Sequence, residues 1–146
     1  MKYIKYLFLF TVITAFTACF PDNDKSFNGP TVLEFKPILK TVKVSAAAGA
    51  ADALVQLVGP QQNAAITIPY TIDPTSTAVA GTHYTIAKAG SFDLAANTSA
   101  VILPISIISG SVTAAAGVKL IIKMGEGSGG IIANPNFSTY TLTITP

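Results

Sequence analysis

Apolar and polar residues alternate with a period of two along most of the chain after residue 30. Residues 66–73 (ITIPYTID) place isoleucine or tyrosine at alternate positions, and residues 139–145 (TYTLTIT) alternate large apolar residues with threonine. This pattern predicts β-strands with one buried and one solvated face. The segments 101–108 and 118–124 are more continuously apolar, which is typical of strands near the middle of a sandwich.

Shorter apolar segments supply the remaining strand candidates: 32–35, 41–44, 55–58, 85–87 and 91–94. Turn sequences such as Gly59-Pro60 and Ser109-Gly110 separate them. Seven or eight short strands at this spacing predict an all-β fold, an antiparallel β-sandwich over residues 31–146.

Two prolines and one alanine-rich stretch qualify this prediction. Pro69 and Pro104 fall within strand patterns, so we expect them at sheet edges or bulges, because proline cannot donate to a ladder. Residues 46–54 are rich in alanine and could form a helix, but Gly49 and the flanking strands favour a loop.

Large side chains at the alternating positions are expected to fill the core. The last strand should contribute Tyr140, Leu142 and Ile144 to the interior. The aromatic residues assigned to the core are Phe35, Tyr70, Tyr84, Phe92, Phe137 and Tyr140.

Residues 1–18 have the layout of a signal peptide. Two lysines precede an apolar run at 6–16, and Thr17 and Ala18 are small residues at the expected cleavage point. This run is too short to span a bilayer, which needs about 20 apolar residues. The chain's only cysteine, Cys19, follows directly.

The position of Cys19 resembles the lipobox of bacterial lipoproteins, in which the cysteine is lipidated and the cut falls before it. Lipidation explains a single thiol in an exported chain, and two acyl chains give stable anchoring. The alternative is an ordinary signal peptide that happens to end near a cysteine. We therefore predict a covalent lipid on Cys19, a membrane as partner and an outer-membrane lipoprotein of the cell envelope.

Residues 19–30 are predicted to form a flexible linker between the anchor and the sandwich. Asp22 and Asp24 resemble the export signal of Bacteroidota surface lipoproteins, which would place the protein on the cell surface. The other interpretation is a plain solvated linker.

Charge argues against nucleic acid as a partner. All nine basic residues are lysines, two of them in the leader, and the remaining seven are balanced by seven acidic residues. Nucleic-acid binding depends on neutralising phosphates, so a chain of this balance is a poor candidate.

A family resemblance rests on residues 55–59, 66–72 and above all 76–84 (STAVAGTHY). Together with residues 90–92 and 101–107, these segments resemble a Calx-beta repeat, and the similarity covers roughly 55–144. His83-Tyr84 stands where the family usually has an aspartate-tyrosine pair, and this variant, in a chain with a lipobox, resembles Calx-beta-like domains of Bacteroidota lipoproteins. The resemblance implies an immunoglobulin-like sandwich that serves as a spacer or binding module, and it does not imply an enzyme.

The chain departs from the family's calcium-binding pattern. His83 stands in place of an aspartate, Ser109-Gly110 in place of paired aspartates, and residues 113–117 lack the expected glutamates. Calcium needs six to eight oxygen ligands, several of them carboxylates. We expect no high-affinity metal site, while a weak site built from backbone carbonyls stays open.

His83 is the only histidine. A catalytic or metal-binding role would need further ligands, a nucleophile or an orienting carboxylate beside it. The sequence favours a loop histidine whose ring bonds to the backbone near Tyr84. We therefore assign no catalytic residue and no cofactor.

The glycines at 125, 127 and 130 form a G-x-G-x-x-G pattern after a predicted strand. A dinucleotide site needs a helix to follow, and Ile131-Ile132-Ala133-Asn134-Pro135 cannot open a long one. This segment is instead expected to be a mobile loop between the last two strands, with Glu126 in solvent.

Three functions remain. The first is a lipid-anchored, non-catalytic binding or adhesion module, accessory to nutrient capture, with a protein or glycan partner. The second is a structural envelope lipoprotein that docks a protein through a sheet edge. The third, a small hydrolase, is disfavoured because the sequence has no recognisable catalytic triad.

Overall fold

The computed structural model describes residues 28–113 and 115–146. The predicted signal peptide 1–18, Cys19 and most of the predicted linker lie outside the described residues. The signal peptide, the lipid anchor and the linker therefore stay predictions.

The described part of the chain is built almost entirely from β-strands, which confirms the all-β fold. The strands alternate buried and accessible residues, as the sequence pattern requires. They are β1 (Val32–Phe35), β2 (Leu39–Lys43), β3 (Ala53–Val58), β4 (Ile66–Ile72), β5 (Tyr84–Ile86), β6 (Ser91–Leu94), β7 (Ala100–Leu103), β8 (Ile105–Ile107), β9 (Val118–Met124), β10 (Ile132–Ala133) and β11 (Thr139–Thr145).

The strands form two principal sheets and one small one. The four-stranded sheet has the order β10-β1-β3-β7, and the five-stranded sheet has the order β2-β11-β9-β4-β6. Strands β5 and β8 pair with each other. Most pairs are antiparallel, as predicted, but β1 with β10 and β2 with β11 are parallel. The chain passes from the four-stranded to the five-stranded sheet after β1, which places β2 beside the last strand, β11.

The core lies between the two principal sheets, and β11 is central to it. Tyr140, Leu142 and Ile144 are all fully buried, which confirms the prediction for the last strand. The Tyr140 ring packs 5.6 Å from that of Phe35, measured between ring centroids. Its hydroxyl donates a hydrogen bond to the carbonyl of Ala51 at 3.0 Å.

Five of the six aromatic residues assigned to the core are buried, and the assignment of Phe137 is wrong. Phe137 retains 41% of its accessible surface because it belongs to the turn before β11 rather than to a strand. Its backbone is fixed by a bond from the Phe35 amide, at 2.9 Å, while its ring lies at the surface.

Pro69 and Pro104 both lie at points where the chain stops pairing with one strand and begins to pair with another. Pro104 separates β7, which pairs with β3, from β8, which pairs with β5. Pro69 lies just beyond the last registered pair between β4 and β9, where its carbonyl accepts the Gly125 amide at 2.9 Å. Within the alanine-rich stretch 46–54, residues 46–52 form a loop with turns, as favoured, while Ala53 and Leu54 begin β3.

The glycine-rich segment 125–130 is tied to the sandwich, which corrects the expectation of a mobile loop between the last two strands. It lies between β9 and β10, and the buried Gly127 donates its amide to Ile131 at 2.8 Å. A Cβ at Gly127 would lie only 2.7 Å from a methyl group of Ile66. Glu126 is exposed, as expected, and Ser128–Gly130 make one 3-10 turn rather than the start of a long helix.

The two described ends of the chain lie at opposite poles of the sandwich. Strand β1 begins opposite the end of β3, where Val32 pairs with Val58. Strand β11 ends opposite the start of β9, where Ile144 pairs with Val118. We call the pole that holds residues 44–52, 73–83 and 108–118 the distal pole, since it is remote from the start of β1.

Candidate binding surfaces

The distal pole is the end at which the family resemblance would place calcium ligands. There, the segment 73–78 runs beside β9 and replaces part of a strand ladder with side-chain hydroxyls. Ser76 Oγ accepts a hydrogen bond from the Ile121 amide at 2.9 Å, and Thr77 Oγ1 accepts one from the Lys119 amide at 2.8 Å. Thr77 and Ala78, within the segment 76–84 that carries the resemblance, both bond to Lys119 and so close one side of the sandwich.

Asp73 is the buried carboxylate of this segment. One oxygen lies 2.5 Å from Lys123 Nζ, and the other accepts both the amide and the hydroxyl of Thr75. The bond from Lys123, with those from Thr75, holds the pKa of Asp73 well below its usual range. These contacts use the carboxylate for local structure.

His83 lies in the turn that precedes β5, and it stabilises that turn. The amide of Val79 donates to His83 Nδ1 at 2.8 Å, and the amide of His83 donates to the Val79 carbonyl at 2.8 Å. This confirms the prediction of a loop histidine bonded to nearby backbone. The imidazole nitrogen acts as a hydrogen-bond acceptor at the position where the family pattern has an aspartate, another acceptor.

Three other acidic side chains in the described part of the chain bond to different partners. Asp52 accepts the Ile105 amide at 2.9 Å, Asp93 accepts the Thr67 hydroxyl at 2.8 Å, and Glu34 accepts the Gln56 amide group. Within residues 28–113 and 115–146, no three His, Cys, Asp or Glu side chains are close enough to hold a metal ion.

The outer faces of the two principal sheets differ in chemistry. Valine, leucine and isoleucine dominate the four-stranded sheet, where Val32, Leu54 and Val58 are half-buried and Ile102 and Ile132 are about half exposed. Threonine and lysine dominate the five-stranded sheet, including the threonines of β11 and the exposed Lys119 and Lys123.

A groove lies where the chain crosses from β1 to β2. It has a volume of about 350 Å³ and is lined by Glu34, Phe35, Lys36, Pro37, Ile38 and Phe137. Leu39, the first residue of β2, is adjacent in sequence and 67% exposed. Sequence reasoning missed this site because Phe137 was assigned to the core; the one available signal was Pro37 between two strand candidates.

No helix in the described part of the chain is long and apolar enough to cross a membrane. Cys19, the predicted lipid attachment site, lies outside the described residues.

Comparison with known proteins identifies the fold. No model of a known protein family and no curated protein matches the sequence. The structure is similar to the apo form of the Calx CBD1 domain, with a TM-score of 0.63 and 18% identity, covering 80% of this chain and 97% of that one. It is also similar to CBD12 from CALX1.2, with a TM-score of 0.61 and 17% identity, covering 78% of this chain and 43% of that one.

At these identities the likeness shows the fold alone. It confirms the Calx-beta-like, immunoglobulin-like sandwich that residues 55–144 predicted. The link to Bacteroidota lipoproteins stays a prediction from the sequence.

Proposed function

We propose that the protein is a lipid-anchored, non-catalytic binding module of the cell envelope, accessory to adhesion or nutrient capture at the outer membrane. The observation that carries this proposal is the apolar leader that ends in small residues directly before the only cysteine, Cys19. A diacylated cysteine would hold the chain stably on a membrane, because each buried methylene contributes about 0.8 kcal/mol.

The geometry of the sandwich supports a presentation role. A tether entering before β1 leaves the distal pole at the opposite end of the domain. The polar groups of that pole hold turns together: His83 binds the amide of Val79, and Asp73 binds Lys123 and Thr75. This use of the titratable groups favours a binding role over a catalytic one.

Metabolic labelling with an alkyne analogue of palmitate tests the anchor. The wild-type chain should take up label and partition into membranes, and Cys19→Ala should lose both. Asp22→Asn is the matched control, since it alters the neighbouring sequence and keeps the thiol. An unlabelled wild-type chain would refute the proposal.

The second candidate function is a structural envelope lipoprotein that docks a protein partner through a sheet edge. The observation that favours it is β2, which ends the five-stranded sheet with Leu39 largely exposed. Cross-linking in whole cells followed by pull-down would separate the two functions. A single stoichiometric envelope protein would favour docking, whereas a glycan or nutrient ligand would favour capture.

A further inference from the structure

Strand β2 leaves one side of its backbone open. Among the strands of residues 28–113 and 115–146, it pairs with β11 alone. The Thr141 amide donates to the Ile38 carbonyl at 2.8 Å, and the Val44 amide donates to the Thr145 carbonyl at 2.6 Å. Backbone groups alternate sides along a strand, so Leu39 and Thr41 direct their N–H and C=O groups away from β11. No further strand of the described chain lies on that side.

The groove defined above begins where this open edge begins. Its apolar walls come from Phe35, Pro37, Ile38 and Phe137, and Leu39 follows on the strand. An exposed phenylalanine and an exposed leucine beside unpaired backbone are a liability for an isolated protein, because they favour strand addition. The same features form a binding site for an added strand, with the groove accommodating one of its apolar side chains.

The charge around this edge is positive. Lys36, Lys40 and Lys43 lie within eight residues, and no acidic residue occurs between Glu34 and Asp52. Lys36 and Lys43 are exposed, while Lys40 donates to the backbone carbonyl of Asp52 at 3.1 Å. Glu34, at the other end of the groove, accepts a bond from Gln56.

The opposite edge of the same sheet has the reverse character. Strand β6 carries the exposed Asp93, whose carboxylate accepts the Thr67 hydroxyl, and no lysine lies within the strand. Strand β10, at an edge of the other principal sheet, is only two residues long. Strand β2 therefore combines an open ladder, an apolar groove and positive charge.

We propose that the β2 edge binds an extended acidic peptide segment of a partner protein, which adds as a strand and places one apolar side chain in the groove. The inference rests on the docking function proposed above and names its partner chemistry. Backbone hydrogen bonds to Leu39 and Thr41 supply affinity, and the groove supplies specificity. Lys36 and Lys43 attract the carboxylates of the incoming segment.

Selection from a random ten-residue peptide display library on the full-length chain in neutral detergent tests this proposal. Recovered peptides should be enriched in aspartate and glutamate and carry one aromatic or large aliphatic residue. A synthetic copy of the most enriched peptide should bind less tightly as salt increases, because exposed charges are screened. No enrichment over blank beads, or enrichment of basic peptides, would overturn the proposal.

Proline substitutions at the two edges make a matched pair. Thr41→Pro removes an outward N–H of β2 and should weaken binding of that peptide at least tenfold. On β6, the Gly90 carbonyl accepts a hydrogen bond from the Tyr70 amide of β4, so the backbone groups of the next residue, Ser91, point away from β4. Ser91→Pro therefore removes an outward N–H of β6 and should leave binding unchanged. Equal loss in both variants, with unchanged far-UV circular dichroism, would contradict an added strand at β2.

Charge reversal keeps the test decisive if Thr41→Pro does not fold. The double variant Lys36→Glu and Lys43→Glu should weaken the acidic peptide at least tenfold, while Lys88→Glu, an exposed lysine in the turn before β6, should not. Undiminished binding to the double variant would refute the proposed charge complementarity.

Two further arms identify the occupant and separate this inference from the anchor. A synthetic peptide of residues 20–30 (FPDNDKSFNGP) should not displace the selected peptide; displacement would assign the edge to the chain's own linker and overturn a foreign partner. Cys19→Ala should bind the peptide as the wild type does. Binding with no lipid label would thus refute the anchor and leave the edge inference standing.

Discussion

Strands β11 and β2 are hydrogen-bonded neighbours in one sheet, yet they have opposite roles. Strand β11 has a partner on each side and buries Tyr140, Leu142 and Ile144 completely. Strand β2 has a partner on one side, and Val42 is its only buried residue. Stability therefore depends on β11, whereas β2 has an unpaired backbone edge and exposed side chains that an external partner can contact.

The strongest test of this contrast places the same charged residue at a buried position of β11, Tyr140, and at an exposed position of β2, Leu39. Tyr140→Asp should unfold the domain, because it removes a buried ring worth about 3–5 kcal/mol and buries a carboxylate. That loss is comparable with the net stability of a small domain, about 5–15 kcal/mol. Leu39→Asp should fold normally.

Size-exclusion chromatography and thermal melts would check both variants. Deleting residues 138–146 should also give an aggregating chain. A monomeric truncated protein with an unchanged melt would show that β11 is a loose tail and would reverse the comparison.

A smaller loss is expected from Tyr140→Phe. This change keeps the ring and leaves the buried Ala51 carbonyl without its hydroxyl donor, which costs about 1–3 kcal/mol. Urea denaturation should show the loss. An unchanged midpoint would mean that another donor satisfies Ala51.

The pH dependence of the wild type follows from the same residue. Burial raises the pKa of Tyr140, so its folded form holds the proton more tightly than the unfolded chain does. Its contribution is fully present below about pH 10 and is lost as the pH rises beyond that value. Tyr140→Phe should flatten this alkaline decline.

Asp73 tests the side of the five-stranded sheet remote from β2. Its pKa is lowered by Lys123 and Thr75, so its contribution is present above about pH 3.9, where the unfolded carboxyl titrates, and is lost as the pH falls further. Asp73→Asn should lower the melting temperature at pH 7 and reduce the acid-induced drop. Asp93→Asn, at the exposed Thr67 contact, is the control and should change the melt less.

The edge itself should be nearly neutral for stability. Leu39→Ser removes a side chain that is already 67% exposed, so the free energy of unfolding should change by less than about 0.5 kcal/mol. Chemical denaturation would measure it. A loss above about 2 kcal/mol would mean that Leu39 packs against the chain and is not available to a partner.

Calcium should have the smallest effect. Melts of the full chain in chelator and in millimolar calcium should coincide, because the described acidic side chains are dispersed among separate partners. A ligand that binds only the folded state must raise stability, so a large upward shift would reveal a site.

The period-two pattern determined most of the architecture. Alternation over 66–73 and 139–145 predicted β4 and β11, because a strand must turn successive side chains to opposite faces. The residues of the predicted inward faces are buried except Ile72, which lies at the end of β4 and retains 37% of its accessible surface. Gly49 and the flanking strand patterns indicated a loop over 46–54, which holds as far as residue 52, and residues 76–84 indicated the Calx-beta-like fold. The sequence also predicted that the His83 ring bonds to nearby backbone, because no other histidine or cysteine is at hand to share a metal with it.

Only the tertiary structure decided which strands are neighbours and which edge stays open. The parallel pairing of β2 with β11 joins residues about a hundred positions apart, and no local pattern encodes it. Phe137 and Gly127 show the same limit in opposite senses: a phenylalanine expected inside lies at the surface, and a glycine expected in a mobile loop is packed against Ile66. Local sequence fixes which face of a strand is apolar, but the environment of a turn residue depends on the strands that the fold brings beside it.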